Sequence, residues 1–470
     1  MKLDLLSLCV LPIACGSLHA IAAPAPQLPP KAAEPKLYDE SITIPEPPSI
    51  TADTATQPVL DIAQAVQVAT LTKNYQQLTQ YLPEYAARAD ADPISVAYAQ
   101  AVLATGQGRT KDAIAIYRRI IAEHPALTPI RFELAQVLYD DKQTIAARDQ
   151  FIKVLSDNPP AFVQQVSDVY LQAIAKNARP QVDFSLNYIN EDNINNANTS
   201  PNLGDSPFSK GQEMYPKSDT GLSYGLSVSH DYNVMNNHYL AMGVDGYGKY
   251  YFHEKDYNDA LVRLNTGYVY KDEKRRFGLL PFYEHRWYGN DSYQHNAGIR
   301  AEYSNRISPK WQLSGAAEYA KQSYERHSDF DGYTALVSAS ALYVQNPKRY
   351  FYAGFDVNDD KTAERYNASR THRLRFGMAQ EFLGGVSGRL NLSIGERTFK
   401  DKAVIGGIIP LDMVRHDVEY GATLTAWKRN WHWYGITPKL SHSYRKVDSN
   451  IPSVYSYDRH QTFVLFEKTF

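Results

Sequence analysis

From about residue 179 to the C-terminus, apolar and polar residues alternate in segment after segment, and a period of two suits half-buried strands, not amphipathic helices. Asp412 to Lys428 carries Val414, Val418, Tyr420, Ala422 and Leu424 on one face and Arg415, Asp417, Glu419 and Thr423 on the other. Leu222, Tyr224, Leu226 and Val228 alternate with Ser223, Gly225, Ser227 and Ser229, and Leu390, Leu392 and Ile394 with Arg389, Asn391 and Ser393. A slip of one residue in any of these would turn the polar set to the apolar side. The same region holds 27 of the chain's 35 tyrosines. Aromatic enrichment with period two is the pattern of a lipid-facing barrel surface with interfacial girdles. No segment has the roughly 18 to 20 consecutive apolar residues of a spanning helix, so a chain of this kind crosses a bilayer only as a closed barrel.

Fourteen antiparallel strands are expected, near 181–190, 220–234, 238–252, 258–271, 275–289, 293–307, 310–325, 331–345, 349–357, 368–383, 385–400, 412–428, 430–447 and 455–470. The connections divide into two kinds. Asn190 to Thr220, Tyr324 to Asp331, Asp359 to Arg370, Lys400 to Leu411 and Val447 to Tyr455 are long and polar, whereas Met235-Asn236-Asn237, Gln345 to Lys348, Gly384-Gly385 and Arg429-Asn430 lie in tight turns. Long external loops and short periplasmic turns are the asymmetry of bacterial outer-membrane barrels, and an even strand number puts both ends of the barrel chain in the periplasm. The chain closes with Thr462, Val464, Phe466 and Phe470 on one strand face, and Val464, Phe466 and Phe470 resemble the C-terminal signal read by the barrel-assembly machinery. Lys468 departs from that signal by setting a charge on the same face, where its stem can snorkel to water.

Upstream, the chain begins as a secretory signal over residues 1–23, with Lys2, an apolar run from Leu5 to Ala14 and the small-residue site Ala20-Ile21-Ala22. Its only cysteines, Cys9 and Cys15, lie there. A lipoprotein signal ending at Cys15 competes, against Pro12 where leucine is usual. Residues 24–58 are rich in proline and alanine, a linker composition. Over 59–178 the period becomes helical, and the segment matches itself at an offset of 34 residues: Ala101 on Ala135, Ala113 on Ala147, Tyr117 on Phe151, Pro125 on Pro159. This resembles the tetratricopeptide repeat, whose paired helices need small residues at their crossing, an aromatic filler and a terminating proline. An upstream helix pair near Leu60 to Leu71 and Tyr75 to Ala89 reads as a degenerate or capping repeat. First-helix positions Tyr98, Phe132, Gln136, Tyr139 and Asp140 are candidates for a client-binding groove, with packing against neighbouring helices as the competing role.

Chemistry leaves little trace. No nucleophile, base and orienting acid share a strand face, His285, His295, His372, His416, His432, His442 and His460 are scattered, and neither metal-ligand spacing nor a phosphate-cradling glycine loop occurs. No cofactor and no enzymatic activity are expected. A net charge of −2 supplies no field for nucleic acid, which is not an expected partner. Arg263, Arg373, Arg375, Arg415, Asp417 and Glu419 are the candidate lumen charges, and their mixed sign favours internal bridges over a selective pore.

The order of signal, short repeat domain and fourteen-strand barrel resembles the surface lipoprotein assembly modulator, or Slam, family. The stretch RFELAQVLYDDKQTIAARDQFIKVLSDNPP from Arg131 to Pro160 is similar to that family's last repeat, and RHQTFVLFEKTF to its ending. The resemblance implies an outer-membrane translocon that delivers client lipoproteins to the surface or releases a soluble haem-binding protein. It implies as partners that client, outer-membrane lipid, the barrel-assembly machinery and periplasmic chaperones, with the repeat domain in the periplasm. An exopolysaccharide export channel, whose repeat arrays are longer, and a solute porin, which needs no repeat domain, are the alternatives.

Overall fold

The computed structural model describes residues 61–202, 209–407, 409–434 and 436–469; the segments read as signal and linker, and Phe470, lie outside the described residues. Seven helices come first: α1 (Ile62–Leu71), α2 (Tyr75–Ala86), α3 (Pro93–Gly106), α4 (Thr110–Glu123), α5 (Thr128–Asp140), α6 (Thr144–Leu155) and α7 (Ala161–Asn177). The starts of the first three follow from capping chemistry. Asp61 accepts a hydrogen bond from the Ile62 amide, Asn74 from Gln77, and Asp92 from Ser95, with Pro93 at the first helical position.

The 34-residue match is a packing match. Ala101, Ala113, Tyr117, Ala135, Ala147 and Phe151 are all fully buried in one core. The turns within successive pairs also repeat, with Lys73, Gly108 and Lys142 each at positive φ. After two full repeats, α7 stands as a single helix on the end of the stack, its Tyr170 ring stacked on Phe151 at 4.8 Å and edge-on to Tyr139 at 5.1 Å.

Fourteen strands follow: β1 (Gln181–Glu191), β2 (Asp219–Met235), β3 (His238–Tyr251), β4 (Asp259–Lys271), β5 (Arg275–Tyr288), β6 (Asp291–Ser308) and β7 (Trp311–Tyr324). Then come β8 (Gly332–Asn346), β9 (Arg349–Thr362), β10 (Ser369–Glu381), β11 (Val386–Ile405), β12 (Ile409–Lys428), β13 (Lys439–Ser449) and β14 (Tyr457–Thr469). Each pairs antiparallel with its neighbours in sequence, and β1 pairs with β14 to close a barrel.

The barrel is the inverse of a water-soluble core. Phe184, Leu186 and Tyr188 of β1, Leu374 and Phe376 of β10, and Leu424 of β12 stand exposed on the outside, while Ser185 and Asn187, Asp356, and Arg415, Asp417 and Glu419 are buried within. That side assignment fits a bilayer, where a lysine or arginine on the lipid face at the midplane costs about 2–4 kcal/mol.

Three expected connections are different in the structure. Lys400 to Leu411 is mostly strand, because β11 and β12 continue to a turn in which Gly406 and Gly407 hold φ of 62° and 74°. β9 likewise runs past residue 357 to Thr362. At the other barrel end, Arg429-Asn430 is not a tight turn: β13 starts at Lys439, not near 430. Pro438 precedes it and cannot donate to a ladder, and the Arg429 amide is drawn instead to the Gly385 carbonyl at 2.7 Å.

Because Ala147 is fully buried where helices cross, Ala147→Leu should overpack the stack and destabilise it by about 1–3 kcal/mol. Thermal circular dichroism of the helical signal checks this, and an unchanged melting temperature would contradict the crossing.

Candidate functional site

The candidate groove residues divide by burial. Tyr139 is buried against Tyr170, and Tyr98 and Phe132 are half-buried, tilted against Tyr117 at 6.3 Å and edge-on to Phe151 at 6.2 Å. These three rings belong to the repeat core. Gln136 hydrogen-bonds the Tyr170 hydroxyl, and Lys73 from the α1–α2 turn reaches Glu133 of α5 at 2.9 Å, bridging the inner face of the stack. Asp140 ends α5 with part of its surface in solvent. Burial by surrounding protein lifts its carboxyl to about 6, with Lys142 opposing the rise, Glu273 of the β4–β5 turn adding to it and Lys73 opposing it.

The same edge of the stack is bonded to the barrel. The buried Asn237, in the β2–β3 turn, donates through Nδ2 to the Asp141 backbone carbonyl at 2.5 Å and to its carboxylate at 3.3 Å. Tyr239 donates to the Lys142 carbonyl, and Asn233 of β2 accepts from the Ile145 amide at 3.2 Å. One repeat earlier, Thr110 donates to Glu273 at 2.5 Å and Lys111 to Tyr270 at 2.6 Å. Gly108, at φ of 67° in the α3–α4 turn, offers its carbonyl to the Lys274 Nζ at 3.4 Å. Two repeat turns thus meet two consecutive barrel turns, and the repeat that spaces the helices also spaces the contacts. Desolvation raises the Asp141 carboxyl, with hydrogen bonds from Gln143 and then Asn237 opposing that rise.

Inside the barrel all six candidate lumen charges are ion-paired. Arg263 meets Glu318 at 2.8 Å with its guanidinium 3.5 Å from the Phe282 ring centroid, and Arg300 joins Glu318 at 3.0 Å. Glu419 lies between Arg373 at 2.8 Å and Arg445 at 3.0 Å. Arg375 meets Asp356 at 2.7 Å, and Arg415 meets Asp417 at 2.7 Å while covering Tyr455 at 3.6 Å. The structure therefore gathers them into separate wall networks and not into one site.

β14 is held unequally along its length. At the end remote from the helices, the fully buried Glu191 of β1 takes Arg459 at 2.9 Å, Lys249 at 3.1 Å, Tyr251 at 2.8 Å and Gln461 at 2.9 Å. Beyond it, Asn193 donates to the Asp458 carbonyl at 3.0 Å and Asn196 accepts from Arg459 at 3.1 Å, both asparagines being buried. At the helical end, β13 stops opposite Leu465, so Phe466 to Thr469 pair with β1 and have no strand on their other edge among the described residues. Val464 and Phe466 lie in that last strand, registered to Tyr188 and Leu186.

Sequence reasoning missed the junction and the Glu191 cluster. The asparagine-rich run from Asn190 to Asn198 was a usable signal, since buried asparagines need partners. Nothing in the local pattern of Asp141 or Asn237 marks them as partners 96 residues apart.

Comparison with known proteins follows the same division. Residues 181–470 match the family model described as surface lipoprotein assembly modifier, and residues 50–151 match the model of that family's N-terminal TPR repeats. Surface lipoprotein assembly modifier 1 of Haemophilus influenzae is 33% identical over 410 residues, covering 86% of this chain and 83% of its own. Its namesake from Neisseria meningitidis serogroup B is 31% identical, covering 87% and 83%. The hemophilin secretion modulator of Acinetobacter baumannii is 27% identical, covering 87% and 86%.

Two predictions arise from this geometry. Glu419→Ala leaves Arg373 and Arg445 without their shared carboxylate and should destabilise the barrel by about 3 kcal/mol. The temperature at which the folded electrophoretic form is lost should fall, and an unchanged temperature would contradict the network. For Asp140 the folded value of about 6 lies above the roughly 3.9 of an unfolded chain, so its stabilisation is complete below about pH 4 and lost as pH rises through 6. Asp140→Asn should therefore melt above the parent at pH 7.5, with the gap closing towards pH 4; a gap independent of pH would contradict the shift.

Proposed function

Because this chain belongs to the surface lipoprotein assembly modifier family, we propose that it is an outer-membrane translocon that delivers a specific client, a lipoprotein or a secreted haem-binding protein, to the cell surface. The observation that carries this reading is the match of both family models, in order, to the two parts that the Asn237 and Glu273 contacts join. In this reading both ends of the fourteen-strand barrel face the periplasm and the helical stack works there, where Gln136 and Asp140 offer polar contact to a client. Tyr98, Phe132 and Tyr139 act through the core that shapes the groove. Barrel-assembly machinery recognises the last strand through Val464, Phe466 and Phe470, and periplasmic chaperones hold the client before transfer.

Passage uses the flank of β14. Backbone groups at a membrane boundary require partners, and Phe466–Thr469 pair with β1 on one side but have no β13 partner among the described residues, so that edge can take an incoming strand. Opening then begins at the helical end, since the Glu191 cluster and the buried asparagines hold the other. No chemical step on the client is required, and folding outside supplies direction by burying strand edge and apolar surface.

Liposomes containing the barrel, given a purified candidate client, should make that client protease-accessible on the far side, and liposomes with an unrelated porin should not. Equal delivery by both would remove the proposal. Deleting 61–177 should lower delivery while residues 179–470 still insert; normal delivery would leave the helical stack without a necessary role.

A further inference from the structure

The outside of β7, β8 and β9 changes chemistry in a fixed order from the barrel's middle to the end remote from the helices. β7 presents Ala317, then Tyr319, then Lys321; β8 presents Val337, then Tyr333; β9 presents Phe355 and Val357, then Asp359 in its ion pair with Arg370, then Lys361. Aliphatic, aromatic and cationic residues in succession mark hydrocarbon, interface and headgroup depth on a lipid-facing wall. The register sets the two lysines level, because Lys321 pairs with Tyr333 and Tyr333 pairs with Lys361. Strands two apart place their backbones about 10 Å from each other. Tyr333 is thus flanked in register by both lysines, and its ring stacks on Tyr319 at 5.6 Å and 15° immediately on the membrane side.

Neighbouring outward cations are already neutralised. Arg370 of β10 stands 3.0 Å from Asp359, which also takes Lys400 at 2.9 Å. Lys321 and Lys361 are exposed and have no ion-pair partner among the described residues. Two level cations at headgroup depth, bordered by an aromatic step continuous with the lipid-facing belt, complement an anionic phosphate held in the membrane plane.

We propose that Lys321, Tyr333 and Lys361 form a binding site for a phosphate-bearing anionic lipid headgroup in the leaflet at the barrel end remote from the helices. The lipid's phosphate lies between the two ammonium groups, with Tyr333 beneath it and the acyl chains along Tyr319 and Val337. The site fixes the height of this wall in the leaflet, and it stands independently of the translocation reading.

The test uses the full chain with Cys9→Ser and Cys15→Ser, labelled with a fluorophore at Val337→Cys and reconstituted in phosphatidylcholine vesicles. Brominated phosphatidic acid or brominated phosphatidylcholine, added as a minor component, quenches the label in proportion to its occupancy of the adjoining wall. Phosphatidic acid should be preferred about thirtyfold at position 337, the scale expected for two basic contacts to an anionic surface at about fivefold each. A label at Leu226→Cys on β2 should report no such preference. Lys321→Gln with Lys361→Gln should abolish the preference at 337, and the arginine pair should keep it, with the heat-modifiable electrophoretic shift confirming folding in each. Equal quenching by the two lipids, an equal preference at 226, or a preference that survives the glutamine pair overturns the proposal. Removal of the preference by inorganic phosphate, at an ionic strength where chloride has no effect, assigns the site to the free anion and also overturns it.

Discussion

Within hydrocarbon a peptide group has no water to bond, so a chain without a long apolar helix enters a bilayer only if every strand finds two neighbours. The β1–β14 ladder, from Asp183 to Glu191 against Gln461 to Thr469, satisfies that condition and turns thirteen hairpin-linked pairings into a closed wall. The other features depend on this closure. It fixes which face of each strand meets lipid, and so forces arginines and carboxylates inward, where they neutralise one another in local groups. It also leaves the chain's last strand as the place where local and long-range pairing meet.

The two parts of the molecule solve different solvent problems with the same sequence device, periodicity. In the helical stack, small residues at fixed spacing let helices approach and aromatic rings fill the remaining space. In the barrel, alternation separates lipid from lumen. The junction joins them through buried and part-buried polar contacts between turns: Asn237 meets Asp141 and Thr110 meets Glu273, with the turns that carry them one repeat apart. Attachment through consecutive turns of β2 to β5 leaves the helices anchored beside β1, and β14 lies on the opposite side of that strand.

Strand number, strand faces and the repeat core were legible in the sequence because period and packing are local properties. Alternation located Arg415, Asp417 and Glu419 on one face without any knowledge of their partners. The start of β13 was misplaced because aromatic residues in Trp431 to Tyr434 resemble strand, whereas Pro438 and the pull of Gly385 on Arg429 decide the outcome. Groove assignment by repeat position gave equal weight to five residues, although Tyr139 packs inward and Asp140 reaches solvent. Periodicity identifies a helix face; the neighbouring helix decides which of its side chains remain available. The Glu191 cluster depends on bringing β1, β3 and β14 together, which only closure accomplishes.

The central claim is that the flank of β14 serves as passage, and a reversible lock on its ladder with β1 tests it most directly. Tyr188 and Val464 are registered partners near the middle of that ladder, so Tyr188→Cys with Val464→Cys in a chain lacking Cys9 and Cys15 can form a disulfide across the seam. The account predicts that the oxidised, folded barrel fails to deliver client in the liposome assay and recovers delivery on reduction, with each single-cysteine chain indifferent to oxidant. Full delivery by the quantitatively crosslinked barrel would contradict opening at this seam.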